Sequence, residues 1–358
     1  MKQIMFFHPS PEWDGLARVF VEAGHALAAR GVTVGIACPP ASDVASGCTA
    51  FDLLPFEPRE SWFGDTMRFA TMVREFRANT VVVAGDEAHA LAAWALRRNG
   101  RGTAVLRRMP TGIVSPVTFR TRLAVRLAPT WFMHSSAAEA TASAPVKGLR
   151  GRIVADLAID PAQFDRVLAS PTPIGTTTIA IVTDPDARRA TAAALRTIAA
   201  MRSRGHPIRA LLIGTPPDAN EVRVHATALG LGDALALVGD PIDRAPLLAA
   251  ADLVWVAADH DDGGIAVLDA MALRRPVIST RGAMAERYIR HGETGMIVDR
   301  EDAMANAATL THLLDDPAQL DRLADVAGVD ARARRTLSTV ADAIMTVLDQ
   351  ATAARVAA

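Results

Sequence analysis

Asp259-His260-Asp261-Asp262-Gly263-Gly264-Ile265-Ala266-Val267-Leu268-Asp269-Ala270-Met271-Ala272 runs on into Leu273-Arg274-Arg275-Pro276-Val277-Ile278-Ser279-Thr280. One short apolar run, residues 253–256, precedes this stretch and another, 276–279, closes it. Two such runs around a glycine-opened apolar helix describe a strand–helix–strand unit, the building block of parallel sheets. Gly263 and Gly264 let backbone approach a ligand closely. The helix expected to begin there points unpaired N–H groups and the positive end of its dipole at the same place. That combination suits a diphosphate.

The alternation continues on both sides. Residues 178–183, 209–213, 235–238 and 295–298 read as further strands, with a helix at 187–204. Upstream, Ser170-Pro171-Thr172-Pro173-Ile174-Gly175 reads as an interdomain linker. Before it the pattern repeats, with strands at 2–7, 32–37, 81–84, 103–106, 131–133 and 152–155 and helices such as 16–30 and 89–98. The tail, 331–358, is helical in pattern. At 358 residues the chain fits two α/β domains rather than one. Two doubly wound sheets leave a cleft, and ligands bind outside the carboxyl ends of strands in such sheets.

Half of the residues are apolar and 22% are charged, which suits globular domains. The two cysteines, Cys38 and Cys48, have neither metal-ligand nor redox-motif spacing, so a reducing compartment is expected. The opening Met1-Lys2-Gln3-Ile4-Met5-Phe6-Phe7 is too short for a leader and reads as a buried strand. No run approaches the roughly 20 apolar residues of a membrane span. A cytoplasmic protein follows as the expectation, with the inner face of the membrane as an alternative position, and nothing points to nucleic acid. Gly230-Leu231-Gly232-Asp233-Ala234-Leu235 approaches the dinucleotide fingerprint but lacks its last glycine and follows a helix instead of a strand. With no P-loop either, a nicotinamide oxidoreductase and an ATPase are both disfavoured.

In order and spacing, residues 259–280 resemble the donor-binding half of family-4 glycosyltransferases. So do Glu286 and His291-Gly292-Glu293-Thr294-Gly295-Met296-Ile297-Val298. That half reads E-G-F-G-x-x-x-x-E-A-M-A, G-x-P-V-V, E, D-G-x-T-G-x-L-V. Further landmarks agree: Glu12-Trp13-Asp14-Gly15-Leu16-Ala17-Arg18 after the first strand, Ile159-Asp160-Pro161 with Phe164, Leu212-Ile213-Gly214, Leu229-Gly230-Leu231 and Val238-Gly239.

The resemblance implies the GT-B architecture, two Rossmann-like doubly wound domains facing across a cleft. It assigns residues 1–170 to the acceptor side and 171–335 to the nucleotide, with a helix over 336–358 returning to the first domain. It implies retaining transfer of a sugar from a UDP- or GDP-sugar, without metal or other cofactor, to an acceptor of unknown identity, lipid-linked acceptors included. In its terms Asp261 contacts the transferred sugar, Asp269 the ribose and Glu286 the donor. Gly263 and Gly264 face the diphosphate, and Gly15 lies near a phosphate or the acceptor. His260 among Asp259, Asp261 and Asp262 suggests a metal only in isolation, since consecutive side chains seldom converge on one ion.

The chain departs from the pattern in three respects. Asp261 and Asp269 replace glutamates and reach about 1.5 Å less far. Asp184 stands where the family has an arginine that clamps the diphosphate, leaving Arg188 or Arg189 to act on the departing charge. Arg107-Arg108-Met109-Pro110 follows a first-domain strand where a histidine is usual. These changes keep a second reading open, a catalytically silent relative that serves a partner enzyme or binds a glycan.

Charge is uneven along the chain. Residues 1–170 hold 19 Lys and Arg against 15 Asp and Glu, a net of +4, and the remainder holds 19 against 24, a net of −5. Between Glu87 and Glu139 eight arginines occur without one acid. Within that stretch Phe119, Leu123 and Leu127 fall at helical spacing beside Arg122 and Arg126, the pattern of a short basic amphipathic helix that can lie on an anionic membrane.

Overall fold

The structure is a computed structural model. It describes residues 2–48, 51–59, 61–99, 102–112, 116–165, 167, 176–258, 260–282 and 287–356, of which 98, 99, 260–262 and 354–356 by backbone alone. Contacts divide the chain into two units, Met1–Leu157 with Leu337–Ala358, and Ala158–Thr336.

The first unit is built on a parallel sheet in the order β3-β2-β1-β4-β5-β6-β7. Its strands are β1 (Gln3–Phe7), β2 (Thr33–Cys38), β3 (Asp52–Pro55), β4 (Thr80–Ala84), β5 (Ala104–Arg108), β6 (Thr130–His134) and β7 (Gly151–Val154). Between them come α1 (Gly15–Ala28), α2 (Asp43–Gly47), α3 (Trp62–Phe76), α4 (Asp86–Asn99), α5 (Phe119–Leu127) and α6 (Ala137–Ala142). Successive strand residues face opposite sides of the sheet. Phe6 accordingly packs on Phe20 of α1, with ring centroids 5.2 Å apart, while Phe7 packs on Phe69 of α3 at 4.4 Å. The second face carries α3, α4 and α5 over one apolar core that includes Phe69, Leu91, Ala92 and Ala124. Local signals start the helices: Asp14, Ser61 and Thr118 each place a side-chain oxygen on a first-turn N–H of α1, α3 and α5.

In the second unit α7 (Ala162–Asp165) precedes a parallel sheet in the order β10-β9-β8-β11-β12-β13. Its strands are β8 (Thr177–Val182), β9 (Ile208–Ile213), β10 (Leu235–Gly239), β11 (Leu253–Val256), β12 (Val277–Thr280) and β13 (Met296–Val298). The intervening helices are α8 (Arg188–Ser203), α9 (Ala219–Ala228), α10 (Ala245–Ala249) and α11 (His260–Ala272). They are followed by α12 (Ala303–Leu314) and α13 (Pro317–Arg334). Ile179, Ile181, Ile198, Leu212 and Trp255 lie in its core. The last helix, α14 (Leu337–Val356), belongs to the first unit. There Asp342 pairs with Arg30 at 2.7 Å and the Trp131 indole donates to Gln350 at 3.1 Å.

Four expectations change. The units divide at Leu157/Ala158, ahead of the Pro-rich stretch, whose residues 170–175 lie outside the described ones. Segment 158–165 packs within the second unit, where the Ile159 N–H donates to the Arg335 carbonyl at 2.9 Å and Asp165 pairs with Arg332 at 2.8 Å. The helical tail is interrupted: α13 ends at Arg334, Thr336 bridges Ile159, and α14 starts afresh. Strand β3 was not expected, because Asp-Leu-Leu-Pro neither alternates nor forms an apolar run. As an edge strand it tolerates Pro55, which faces Cys38 at its last register position. Arg107 and Arg108 are buried final residues of β5, not the loop after it.

Candidate functional site

In the second unit the strand order turns back between β8 and β11, which pair from Leu253 with Ile179 to Val256 with Val182. Such a switch point, beyond the carboxyl ends of the strands, is where open α/β sheets hold ligands. The Ala257 and Ala258 N–H groups both donate to the Val182 carbonyl, at 2.8 and 2.9 Å, so the chain leaves the sheet sharply. It enters α11 at His260, three residues before the glycines. The first-turn N–H groups are therefore those of residues 260–263. Gly263 and Gly264 lie buried inside the helix, not in the turn ahead of it. Asp261 sits in that first turn, and only its backbone is described. Glu286 lies outside the described residues.

Asp269 falls two turns further on. It has 0% exposure, and its Oδ2 lies 3.7 Å from Nε of Arg244, itself buried. The sequence reading put this carboxylate on the wall of a site. The helix face that carries it lies within the unit, where a guanidinium balances its charge.

The residues after β8 behave differently from the family pattern. Asp184 is buried, and its carboxylate accepts the Asp186 N–H at 2.8 Å, closing the turn that leads into α8. Ala187, the residue ahead of α8, supplies no side-chain cap. Arg188 is exposed and pairs with Glu221 of α9 at 2.7 Å, beside a small depression between the two helices. Arg189 is exposed as well, with no ion pair among the described residues. Gly214 closes the neighbouring turn. Its φ is +107°, and a Cβ there would stand 2.2 Å from the Thr183 carbonyl oxygen, so no side chain fits.

One cation escaped the sequence reading. β12 lies beside β11 with Ser279 opposite Val256, and β8 lies on the other side with Val182 opposite it. Arg281 directly follows the last residue of β12, the strand next to β11. Arg281 is exposed, and its N–H is fixed to the Val298 carbonyl at 3.0 Å. The signal lay in strand adjacency, which a linear motif does not express.

In the first unit Gly15 opens α1 just beyond β1, at the corresponding switch point between β1 and β4. Asp14 accepts the Ala17 N–H at 2.7 Å and lies 3.7 Å from Nε2 of His8. Burial lowers the His8 pKa, while Asp14 and a backbone contact at Glu12 oppose the shift. At the ends of β5 and β6 a second polar group gathers: buried Arg108 donates to Thr111 Oγ1 at 3.1 Å, and Thr111 meets Ser135 at 2.7 Å. Glu139 accepts the backbone N–H groups of Gly112 and Ser135 at 3.0 and 3.1 Å. These residues occupy the region where the family usually carries its histidine.

Residues 178–316 match the family model described as Glycosyl transferases group 1. A lipopolysaccharide core biosynthesis glycosyltransferase, LpsE of Rhizobium meliloti, is 31% identical over 114 residues, 32% of this chain and 34% of that protein. A D-inositol 3-phosphate glycosyltransferase of Thermomonospora curvata is 33% identical over 142 residues, 37% of this chain and 32% of that protein. The chain thus spans about a third of the curated relatives it matches. Among solved structures, a glycosyltransferase from Rickettsia africae superposes with a TM-score of 0.76 at 13% identity, covering 98% of each chain. Anabaena HepE in complex with UDP-glucose gives 0.74 at 17%, covering 98% of this chain and 100% of that one. The fold is that of the GT-B glycosyltransferases. In its second unit the chain resembles family 4 of them, with several of the family's site positions replaced.

Proposed function

We propose that this chain is a retaining glycosyltransferase that moves a hexose-like sugar from a UDP- or GDP-sugar to an acceptor in glycan or glycolipid assembly. The observation that supports it is the position of α11. The stretch that resembles the family's donor motif leaves β11 at the switch point, with its free N–H groups at the carboxyl edge of the sheet. Those N–H groups receive the diphosphate, with Gly263 and Gly264 in the helix just behind them. Asp261 orients the sugar hydroxyls and Glu286 contacts the donor. Arg188 or Arg189, together with Arg281, acts on the departing diphosphate. Gly15 gives the first unit's α1 terminus close access to phosphate or acceptor. Asp269, with Arg244 beside it, is the residue for the ribose. A lipid-linked acceptor and contact with an anionic membrane complete this reading.

A second reading, a silent relative acting as a partner subunit or glycan-binding module, draws on two observations. Asp184 replaces a clamp cation, and Arg188 is engaged by Glu221. Titration calorimetry with UDP, GDP, UDP-glucose and GDP-mannose separates the two readings. Binding of one nucleotide family, with release of the nucleoside diphosphate when a membrane extract supplies acceptor, is expected. Binding without turnover supports the silent relative, and no binding to any of the four overturns the donor site.

A further inference from the structure

We propose that the outer face of the α3–α4–α5 layer in the first unit docks on an anionic lipid bilayer. Soluble domains seldom leave several large apolar side chains together in water. Here Trp62 is 47% exposed, Phe63 60% and Met67 38% on α3, Trp94 38% on α4 and Phe119 79% on α5. These helices cover the same side of the sheet over a shared core, so the exposed groups belong to one layer. Trp62 and Trp94 touch edge to face across α3 and α4, with centroids 6.2 Å apart. The set is therefore an assembled aromatic surface and not scattered residues.

The charges around it select the partner. On α5 the residues at i, i+3 and i+7 from Phe119 are Phe119, Arg122 and Arg126, all exposed, so one helix face carries an aromatic ring and two guanidinium groups. On α4, Arg97 stands three residues beyond Trp94 and is also exposed. Arg120 projects beside them and meets Glu87 at 3.3 Å. Leu127 turns inward to the core, so the stripe expected from sequence divides: its last member packs the fold and its first is left in solvent. A headgroup layer takes both parts of this face. Aromatic rings settle at the interfacial depth and guanidinium groups pair with anionic lipid phosphates.

This inference deepens the reading of a membrane-held acceptor and rests on it for its purpose, but its test is separate. Binding of the full chain to vesicles of pure phosphatidylcholine is compared with binding to vesicles containing 30 mole per cent, roughly the anionic share that attracts basic surfaces, of phosphatidylglycerol. Measurements are made at low and high salt. The expected result is salt-sensitive binding to the anionic vesicles alone, with a blue shift of Trp62 and Trp94 emission. R122E with R126E should weaken it about tenfold or more, and W62S with F63S and F119S should do the same. UDP affinity, measured on the same preparations, should hold, which keeps failure of the donor reading distinct from failure of this one. Equal binding to neutral and anionic vesicles, no binding to either, or full retention by both variants overturns the proposal.

Discussion

Asp269 and Arg281 show how differently two candidate residues of one unit are held. Asp269 is enclosed beside Arg244, and a buried ion pair that loses one member leaves the other charge uncompensated. Asp269→Ala should therefore lower stability by about 3 kcal/mol, seen as a fall in the denaturant midpoint. Arg281 stands exposed at its strand end. Arg281→Ala should weaken UDP or GDP binding about tenfold, the usual loss with a charge-assisted hydrogen bond. An unaltered nucleotide affinity in Arg281→Ala removes this arginine from the site, and an unaltered midpoint in Asp269→Ala removes the structural role of the carboxylate. The spacing of Asp261 and Asp269 was legible in the sequence because it follows a motif along one helix. The burial of Asp269 was not, since it depends on Arg244, which reaches it from before a different helix. Arg281 was missed for a related reason, as its neighbours are set by strand order.

Elements of the first unit are joined by a buried polar cluster. Arg107 of β5 pairs with Asp86 of α4 at 2.6 Å, donates to Thr121 of α5 at 2.6 Å and lies 3.3 Å from Nδ1 of His89. Three elements are thereby tied at one point. Burial, with Arg107 as a second cause, pushes the His89 pKa from 6.5 down to about 3, and Asp86 only partly opposes this. The folded form keeps His89 neutral, so between about pH 6.5 and 3 the unfolded chain binds the extra proton. The resulting stability is present above that window and is lost as pH falls through it, at about 1.4 kcal/mol per pH unit for this one group. Burial also lowers the pKa of His8 and of His134, and this steepens the same acid limb. Urea midpoints taken from pH 7 to pH 4 should fall steadily, and His89→Gln should remove one proton from the slope. An unchanged slope in that variant would place the acid sensitivity elsewhere. In sequence the eight arginines read as one basic surface. Arg107 and Arg108 belong instead to the interior, because β5 runs two residues further than its apolar run suggests. Most strands and helices were legible, because parallel strands buried on both faces spell out as apolar runs. β3 was not, being held by its neighbour β2 more than by its own pattern.

On the scale of the molecule, the chain crosses between units twice, at Leu157/Ala158 and at Thr336/Leu337. The first unit is completed by α14, whose Val340, Ile344, Val347 and Leu348 are buried. At about 1.5–3 kcal/mol for each large apolar side chain, their loss removes roughly 6 kcal/mol or more, comparable with the whole stability of a domain. A chain ending at Thr336 should show early proteolysis of residues 1–157 while the second unit keeps its protection. Equal protection of both units would mean that α14 is dispensable. The return of the tail to the first domain is part of what the family resemblance implies; the break at Arg335 that frees α14 is not written in helical periodicity, which runs through it. A consequence follows for synthesis. On the ribosome the first sheet emerges early but lacks its last layer until α14 has left the exit tunnel. At about 5–20 residues per second the roughly 200 intervening residues take about 10–40 s. Over that interval the second unit, contiguous in the chain, can close first. The nascent first sheet meanwhile exposes the apolar surface that α14 will cover, so the order of synthesis and the order of folding are reversed.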